Sequence, residues 1–566
     1  MGEPIFSVLL RRVKDASRSA WRWVCSVDRW LLGALAVGML LGVQGLGWGR
    51  YDCLNLDRLA FQTVMSEERR PFEPARFVKP PLYTYLNLFL ARWPAEFLVR
   101  QVPGMTKSER RAWTRETRVV FARFWNLAMF AGMIALTYGV TCAAFGQASA
   151  RASSWILATS AGFVPYKIFL TTDLALLFFM LAAFAASVRI LKHPGIGISI
   201  VAGLLAGAAG AIKYNGIAIA VCLPLAHLLA SRGNPILACL RRPAAWLCGL
   251  AVPVGFIIGN PYSVIDFPKF WEGFYYNYTV TPVYNGAGEG TGYVEFVRRF
   301  VEIFGWPGSL LLGGMALIGL VPVIRSLREP ESNTWKVWLL AAVAFALYFW
   351  KIGAFPRMET RFVLPTAPFL LILAAAGLGA FFRWKWLAVP VLAVLLLYNV
   401  VCSWQTAELF RLDPRTRALA WADQNLKGQA TLESSGSCPQ WQYLPGREFR
   451  IHRIPTGLER KQNFAELFAD DPDMLSRVSR FESREDLTWF SPEARARRDP
   501  QWIAWSSIDL EGIARPFYEA LSQPGSGYRV VFNESSPSIP RWSYPRYTEF
   551  LRNQLVIWEK NPQPGS

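Results

Sequence analysis

Long uncharged runs constrain this chain more than any other feature. From about residue 31 to Cys402 the sequence is a succession of apolar stretches, most of them 17–25 residues long. About 20 apolar residues in a helix cross the hydrocarbon core of a bilayer, and only helices or closed barrels satisfy their backbone there. Eleven runs can be delimited, at about 31–49, 119–145, 152–170, 174–191, 196–212, 215–231, 244–259, 304–324, 336–350, 362–382 and 386–402. The expected fold is therefore mainly α, a polytopic membrane helical bundle of about eleven spans. The stretch from Leu82 to Leu98 is interrupted by Asn87, Arg92, Pro94 and Glu96, and reads as an interfacial helix. The first run is long and lacks a small-residue cleavage site after it, so it reads as a retained anchor.

Charge orients the bundle. The N-terminal segment carries Arg11, Arg12, Lys14, Arg18, Arg22 and Arg29, and alternate loops thereafter carry Arg151, Arg189 and Lys192, Arg241 and Arg242, Arg325 and Arg328, and Arg383 and Lys385. Short basic loops stay in the cytoplasm, which places the N-terminus inside the cell (inner) membrane and, after an odd number of spans, the C-terminal segment outside. The formal charge of +19 comes from this distribution. It does not indicate nucleic acid, because no Lys/Arg-rich stretch is interleaved with exposed aromatics. Twenty-four Trp suit a protein with two membrane–water interfaces.

Two regions follow. Residues 1–402 form the transmembrane region, with long outer loops at about 50–118 and 260–303; residues 403–566 have soluble composition. In the latter, Thr416–Asn425 reads as a short helix, and GYRVVF at 527–532 and QLVIWEK at 554–560 alternate like strands. A small α/β domain on the outer face is expected, serving as a lid or an acceptor-docking surface. The eight Cys show no metal-ligand spacing and only three His are present, which argues against a Cys/His zinc site. Cys53 and Cys438 both fall on the outer side, where a disulfide is chemically allowed, but spacing does not fix their separation.

The remaining charges are selective. Asp57, Lys79, Asp173, Lys213, Arg357 and Arg361 each lie just outside an apolar run, and the threading puts all six on the outer side. A charge at a bilayer edge is costly unless paired or hydrated, so a one-sided set points to a functional cavity. Each has a simpler explanation taken singly: Asp173 can cap a helix, and Lys and Arg can snorkel. Asp52 and Asp57 follow the first span, within YDCLNLDRLAFQTVM. A carboxylate there can act as general base on a hydroxyl arriving from outside. In KPPLY, two prolines fix where Lys79 points, ahead of Tyr83. Lys213-Tyr214-Asn215-Gly216 breaks two apolar runs at the outer edge. Asn260-Pro261-Tyr262 and Asp266 open the second long loop, and FPRMETRFVLP carries Arg357 and Arg361, which can bind phosphate bidentately.

In order and spacing these motifs resemble the GT-C-type, polyprenyl-phosphate-dependent glycosyltransferases, in particular the aminoarabinose-transferase and protein O-mannosyltransferase-like group. The resemblance covers about residues 30–400 and rests on NLDRLAFQTVM, KPPLYTYL, Asp173, the Lys-Tyr-Asn-Gly turn and Arg361 to Pro365. Many relatives carry Asp-Glu at the first site, where this chain has Asp57-Arg58, a departure that puts metal binding in doubt. The resemblance implies transfer of a sugar, with inversion, from a polyprenyl-phosphate donor to a hydroxyl of a glycan, lipid or protein on the outer face. It implies Asp57 and Asp173 as the catalytic carboxylates, and Lys79, Tyr83, Lys213, Tyr214, Arg357 and Arg361 as substrate or phosphate ligands. No cofactor is otherwise required; if a divalent metal is held, Asp57 and Asp173 are its candidate ligands. Two alternatives remain from other classes. A lipid or solute transporter would place its charges nearer the midplane on broken helices; the other is a noncatalytic scaffold.

Overall fold

The computed structural model describes residues 28–49, 72–74, 77–231, 235–284, 290–329, 332–426, 429–439, 441, 444, 448–453, 492–507, 519–545, 551 and 553–561. Six helical stretches are long and apolar enough to cross a membrane: Lys107–Phe145, Thr172–Lys192, Tyr293–Ser326, Asn333–Ile352, Thr360–Phe381 and Lys385–Asn425. Four shorter apolar helices, Arg29–Val43, Ile196–Ile212, Tyr214–Leu229 and Pro243–Gly259, account for four more of the expected runs. The chain is an integral membrane protein of mainly helical architecture.

The run at 152–170 is not one helix. Gln147–Thr159 ends at Ser160, a 3-10 turn covers Ala161–Phe163, and a short helix resumes over Val164–Ile168. Two features cause the break. Pro165 withholds a backbone donor. At Gly162 any Cβ would lie 2.4 Å from the Ile303 Cα, so two backbones cross where only glycine fits. The helix opposite, Tyr293–Ile318, is itself kinked at Gly305, with φ 70°. Tyr544, from the far end of the chain, fills the space between the two irregularities. Its hydroxyl accepts from the Ala161 N–H at 3.3 Å and donates to the Asn399 amide oxygen at 2.7 Å. Its ring stacks on Tyr398 at 5.6 Å. A backbone group freed by the break is thus satisfied by a side chain, as a lipid-embedded irregularity requires.

Close packing elsewhere depends on small residues. Ile196–Ile212 and Pro243–Gly259 touch along Gly203, Gly207 and Gly255; a Cβ at Gly207 would come 2.1 Å from the Val252 carbonyl oxygen. Such stripes let membrane helices approach without help from the hydrophobic effect. At the opposite end from the charged motifs, Asp28 caps the Arg29–Val43 helix. It accepts from the Trp30 N–H at 3.0 Å, Arg151 at 2.7 Å and Tyr138 at 2.7 Å. Burial pushes its carboxyl up, but these hydrogen bonds outweigh burial and hold its pKa at about 2.

The Lys107–Phe145 helix starts well before the apolar run that it contains, fixed by a capping box between Thr106 and Glu109. The Leu82–Leu98 stretch is helical, with a π turn over Leu88–Arg92 between Leu82–Asn87 and Trp93–Arg100. It exposes Phe89, Trp93, Phe97 and Leu98.

The last membrane helix continues beyond Cys402 to Arg411. After it, Pro414–Asn425 packs on a five-stranded sheet: β1 Gln429–Ser434, β2 Glu448–Arg453, β3 Trp502–Ser506, β4 Tyr528–Ser535 and β5 Gln554–Lys560. The order is β2-β1-β3-β5-β4, with β1 parallel to β2 and β3, and β5 antiparallel to β3 and β4. The two strands expected from alternation are β4 and β5. Cys438 is buried, and Cys53 lies outside the described residues. The domain is fastened to the bundle through Trp48. The Trp48 indole donates to Asp413 at 2.9 Å, Arg415 binds Asp413 at 2.6 Å, and Arg123 donates to the Trp48 carbonyl at 2.6 Å.

The expected orientation has a direct test. Alkaline phosphatase fused after Ser566 is expected to be active, and the same enzyme inserted beside Arg241 inactive. Equal activity at both sites would refute the topology.

Candidate active site

Four chain segments converge at the end of the bundle opposite Asp28. The first is the N-terminal turn of Thr172–Lys192. Asp173 lies in that turn, where the helix dipole favours a negative charge. Its side chain is only 3% exposed, and the Lys213 ammonium lies 3.0 Å from it. Lys213 is the C-cap of Ile196–Ile212, in extended conformation, and its helix gives way to a 3-10 turn at Tyr214–Val221. The change requires Gly216, where a Cβ would lie 2.4 Å from the Ala209 carbonyl oxygen. The Lys-Tyr-Asn-Gly turn is held on two sides. Tyr214 donates to the Phe77 carbonyl at 2.6 Å, and Tyr348 donates to the Asn215 carbonyl at 2.9 Å.

The Tyr214 bond brings in the third segment, Phe77 to Pro81. Lys79 lies close enough to act electrostatically on Asp173, as do Lys213 and Arg361. Arg361 comes from the fourth segment, Thr360–Val363, and is bound by Glu359 at 2.7 Å. The Lys213 ammonium and the Arg361 guanidinium both lie against one aromatic ring, 5.5 Å and 5.3 Å from the Phe362 centroid. Snorkelling does not describe Lys213, whose amino group turns to Asp173 and Phe362.

The other expected residues divide. Tyr83 is buried, at the start of Leu82–Asn87, and lines an apolar cavity of about 250 Å³ with Asn87, Trp125, Asn126, Phe178 and Phe179. It therefore faces the Thr172–Lys192 helix one turn or more beyond Asp173. Arg357 is exposed, four residues before Arg361. Asp52 and Asp57 lie outside the described residues. Glu359 and Phe362 were not singled out in the sequence, although both sit inside METRF. A carboxylate two residues before an arginine is the available signal.

The two long loops are joined beside this cluster. Lys269, on Phe267–Tyr284, binds Glu73 at 2.9 Å and Asp266 at 3.0 Å. These bonds, Glu73 first, raise the Lys269 pKa above its ordinary value. Chemically, Lys79, Lys213 and Arg361 meet two carboxylates, Asp173 bound to Lys213 and Glu359 bound to Arg361, which leaves a net positive charge suited to an anion. Nor do three or more His, Cys, Asp or Glu side chains come together among the described residues. Among the described residues, the charged groups that act on Asp173 are cations, which do not ligate a divalent metal.

No protein-family model matches this chain, and no curated protein matches it in sequence. Its architecture does have solved counterparts among membrane proteins. The structure of ArnT from Cupriavidus metallidurans bound to undecaprenyl phosphate superposes with a TM-score of 0.50 at 15% identity, covering 94% of this chain and 98% of that one. The same protein in the apo state gives 0.49 at 16% identity, covering 95% and 98%. The Archaeoglobus fulgidus oligosaccharyltransferase in complex with zinc and sulfate gives 0.45 at 13% identity, covering 91% and 74%. At these identities the likeness concerns the fold, and the chemistry must come from the site.

Proposed function

We propose that this chain is an integral membrane glycosyltransferase that moves a sugar from a polyprenyl-phosphate donor to a hydroxyl of a glycan, lipid or protein at the outer face of the membrane. The observation that carries the reading is the buried Asp173–Lys213 pair, 3.0 Å apart, with Lys79 and Arg361 within electrostatic reach of it. Such a set suits a lipid phosphate whose charge grows as it departs, which is where preorganised cations contribute most. The ArnT structure that shares this fold is described as bound to undecaprenyl phosphate, an anionic lipid of the kind the cluster would receive.

In this reading the acceptor oxygen attacks the anomeric carbon from the face opposite the phosphate. The carbon–oxygen bond to phosphate breaks, and the polyprenyl phosphate leaves with the electron pair. Asp57 takes the acceptor proton. Lys79, Lys213 and Arg361 neutralise the phosphate. Asp173, held by Lys213, acts mainly to position that ammonium, with Tyr214 fixing the turn that carries it. Tyr83 lines the apolar slot alongside, and Arg357 stands at the rim.

Membranes containing the chain are expected to transfer radiolabel from a polyprenyl-phosphate sugar to an endogenous acceptor. Transfer absent across hexose and pentose donors would defeat the reading. Arg361 gives a finer test. Arg361→Ala removes a charge-assisted contact of about 1.5–3 kcal/mol, so donor affinity is expected to fall roughly 10- to 100-fold. Arg361→Lys should restore only part of it, because a point charge cannot reproduce the guanidinium fork. Unchanged donor affinity in Arg361→Ala would remove Arg361 from the phosphate site.

A further inference from the structure

Asn260 is buried with both atoms of its side-chain amide unpartnered, the only side chain among the described residues of which this is true. It is 0% exposed. Its backbone is satisfied: the N–H donates to the Phe256 carbonyl at 2.8 Å, and the carbonyl accepts from the Ser263 hydroxyl at 2.6 Å. The orphaned groups are therefore the amide oxygen and the amide nitrogen alone. Native interiors satisfy the great majority of such groups, and one left with neither bond is costly unless a ligand completes it.

Its place in the fold narrows the ligand. Asn260 is the C-cap of Pro243–Gly259, at the same end of the bundle as Lys213. Its neighbour Gly259 packs so tightly against Ala211 and Leu82 that a Cβ there would lie 2.6 Å from one and 3.1 Å from the other. Ala211 precedes Lys213 by two residues, and Leu82 ends the Lys-Pro-Pro-Leu segment that begins at Lys79. The Asn260 backbone thus lies where the phosphate cluster meets the start of the second long loop. Two further orphans border the same cluster: the Asn215 amide oxygen and the Thr360 hydroxyl, which precedes Arg361.

Hydrogen-bond chemistry separates these groups from the cations. Lys79, Lys213 and Arg361 only donate, which matches a phosphate that only accepts. An amide donates and accepts at once, and so does a sugar hydroxyl. We infer that Asn260 binds the sugar of the lipid-phosphate donor, its NH2 donating to one hydroxyl and its oxygen accepting from another. It thereby distinguishes sugar-loaded carrier from bare polyprenyl phosphate, the product of transfer. When the sugar leaves, this contact is lost while the cations keep only the phosphate, which favours product release. The inference rests on the glycosyltransferase reading.

Thermal unfolding of the full-length, detergent-solubilised chain tests it, with bare undecaprenyl phosphate and with undecaprenyl-phosphate-linked hexoses and pentoses as probes. At least one loaded carrier is expected to raise the unfolding midpoint of the unsubstituted chain more than the bare carrier does. Asn260→Leu is similar in size and removes both orphans, so its ligand-free midpoint should be equal or higher. It should keep the shift with bare carrier and lose the extra shift with the loaded one. Asn260→Asp, which cannot donate, should also lose the extra shift. An extra shift retained by Asn260→Leu overturns the inference, as does a ligand-free midpoint several degrees below that of the unsubstituted chain. Equal shifts with bare and loaded carriers overturn it while leaving the glycosyltransferase reading intact. No shift with any carrier defeats that reading, and the inference with it.

Discussion

Lys213→Ala should be the most damaging single removal of charge. It strips the nearest cation from a carboxylate that is 3% exposed and 3.0 Å away. Breaking a buried pair from one side costs about 3–5 kcal/mol, because the remaining charge is left without compensation. The effect should fall in the lower part of that range, since Lys79 and Arg361 still act on Asp173. The same substitution removes a phosphate ligand, so donor affinity should fall as well. Asp173→Asn combined with Lys213→Gln separates the two effects. The neutral pair should recover most of the lost stability and none of the transfer. A double-mutant cycle on the unfolding free energy reads the coupling directly. Coupling near zero would mean that the pair is incidental.

Asp57→Asn should have the opposite signature. It preserves size and most hydrogen bonding but removes the base, so turnover should fall roughly 10²-fold or more while donor binding survives. Single-turnover rates set beside donor binding make the comparison. Full activity in Asp57→Asn would move the base to Asp52 or Asp173. Full activity in all three single Asp→Asn variants would end the mechanism.

These two experiments rest on residues of different legibility. The charges at one end of the runs were visible because membrane helices tolerate so few charges that each one stands out. Asp173, Lys213 and Arg361 sit far apart in sequence, yet one-sidedness alone grouped them with Lys79. The partner assignments were not visible. Nothing in a linear sequence says that Lys213 turns to Asp173, or that Phe362 carries both Lys213 and Arg361, because those facts depend on how helix ends meet. Length misled at 152–170, where the composition of a span concealed a break set by Gly162 against Ile303. After the last membrane helix, β4 and β5 showed as strands. β1 to β3 went unmarked, although β1 (QATLES) and β2 (EFRIHR) do alternate polar and apolar residues; β3, between β1 and β5, is a near-continuous buried run, as a strand covered on both faces is.

The position of Tyr544 has a consequence for the order in which this protein is made. The broken segment around Ala161 and the kink at Gly305 are synthesised hundreds of residues before the tyrosine that fills the space between them. A growing chain would insert its membrane helices while that gap stood open. It would close only when the final part of the polypeptide had been made and had folded back onto Tyr398 and Asn399. The bundle is therefore completed last. A ribosome that stops before codon 544 would leave helices in the membrane with an unsatisfied backbone at the break, a lesion that quality-control proteases on either side of the membrane are equipped to recognise. The tail that looks like an appendage in the sequence is, in time, the final step of assembly.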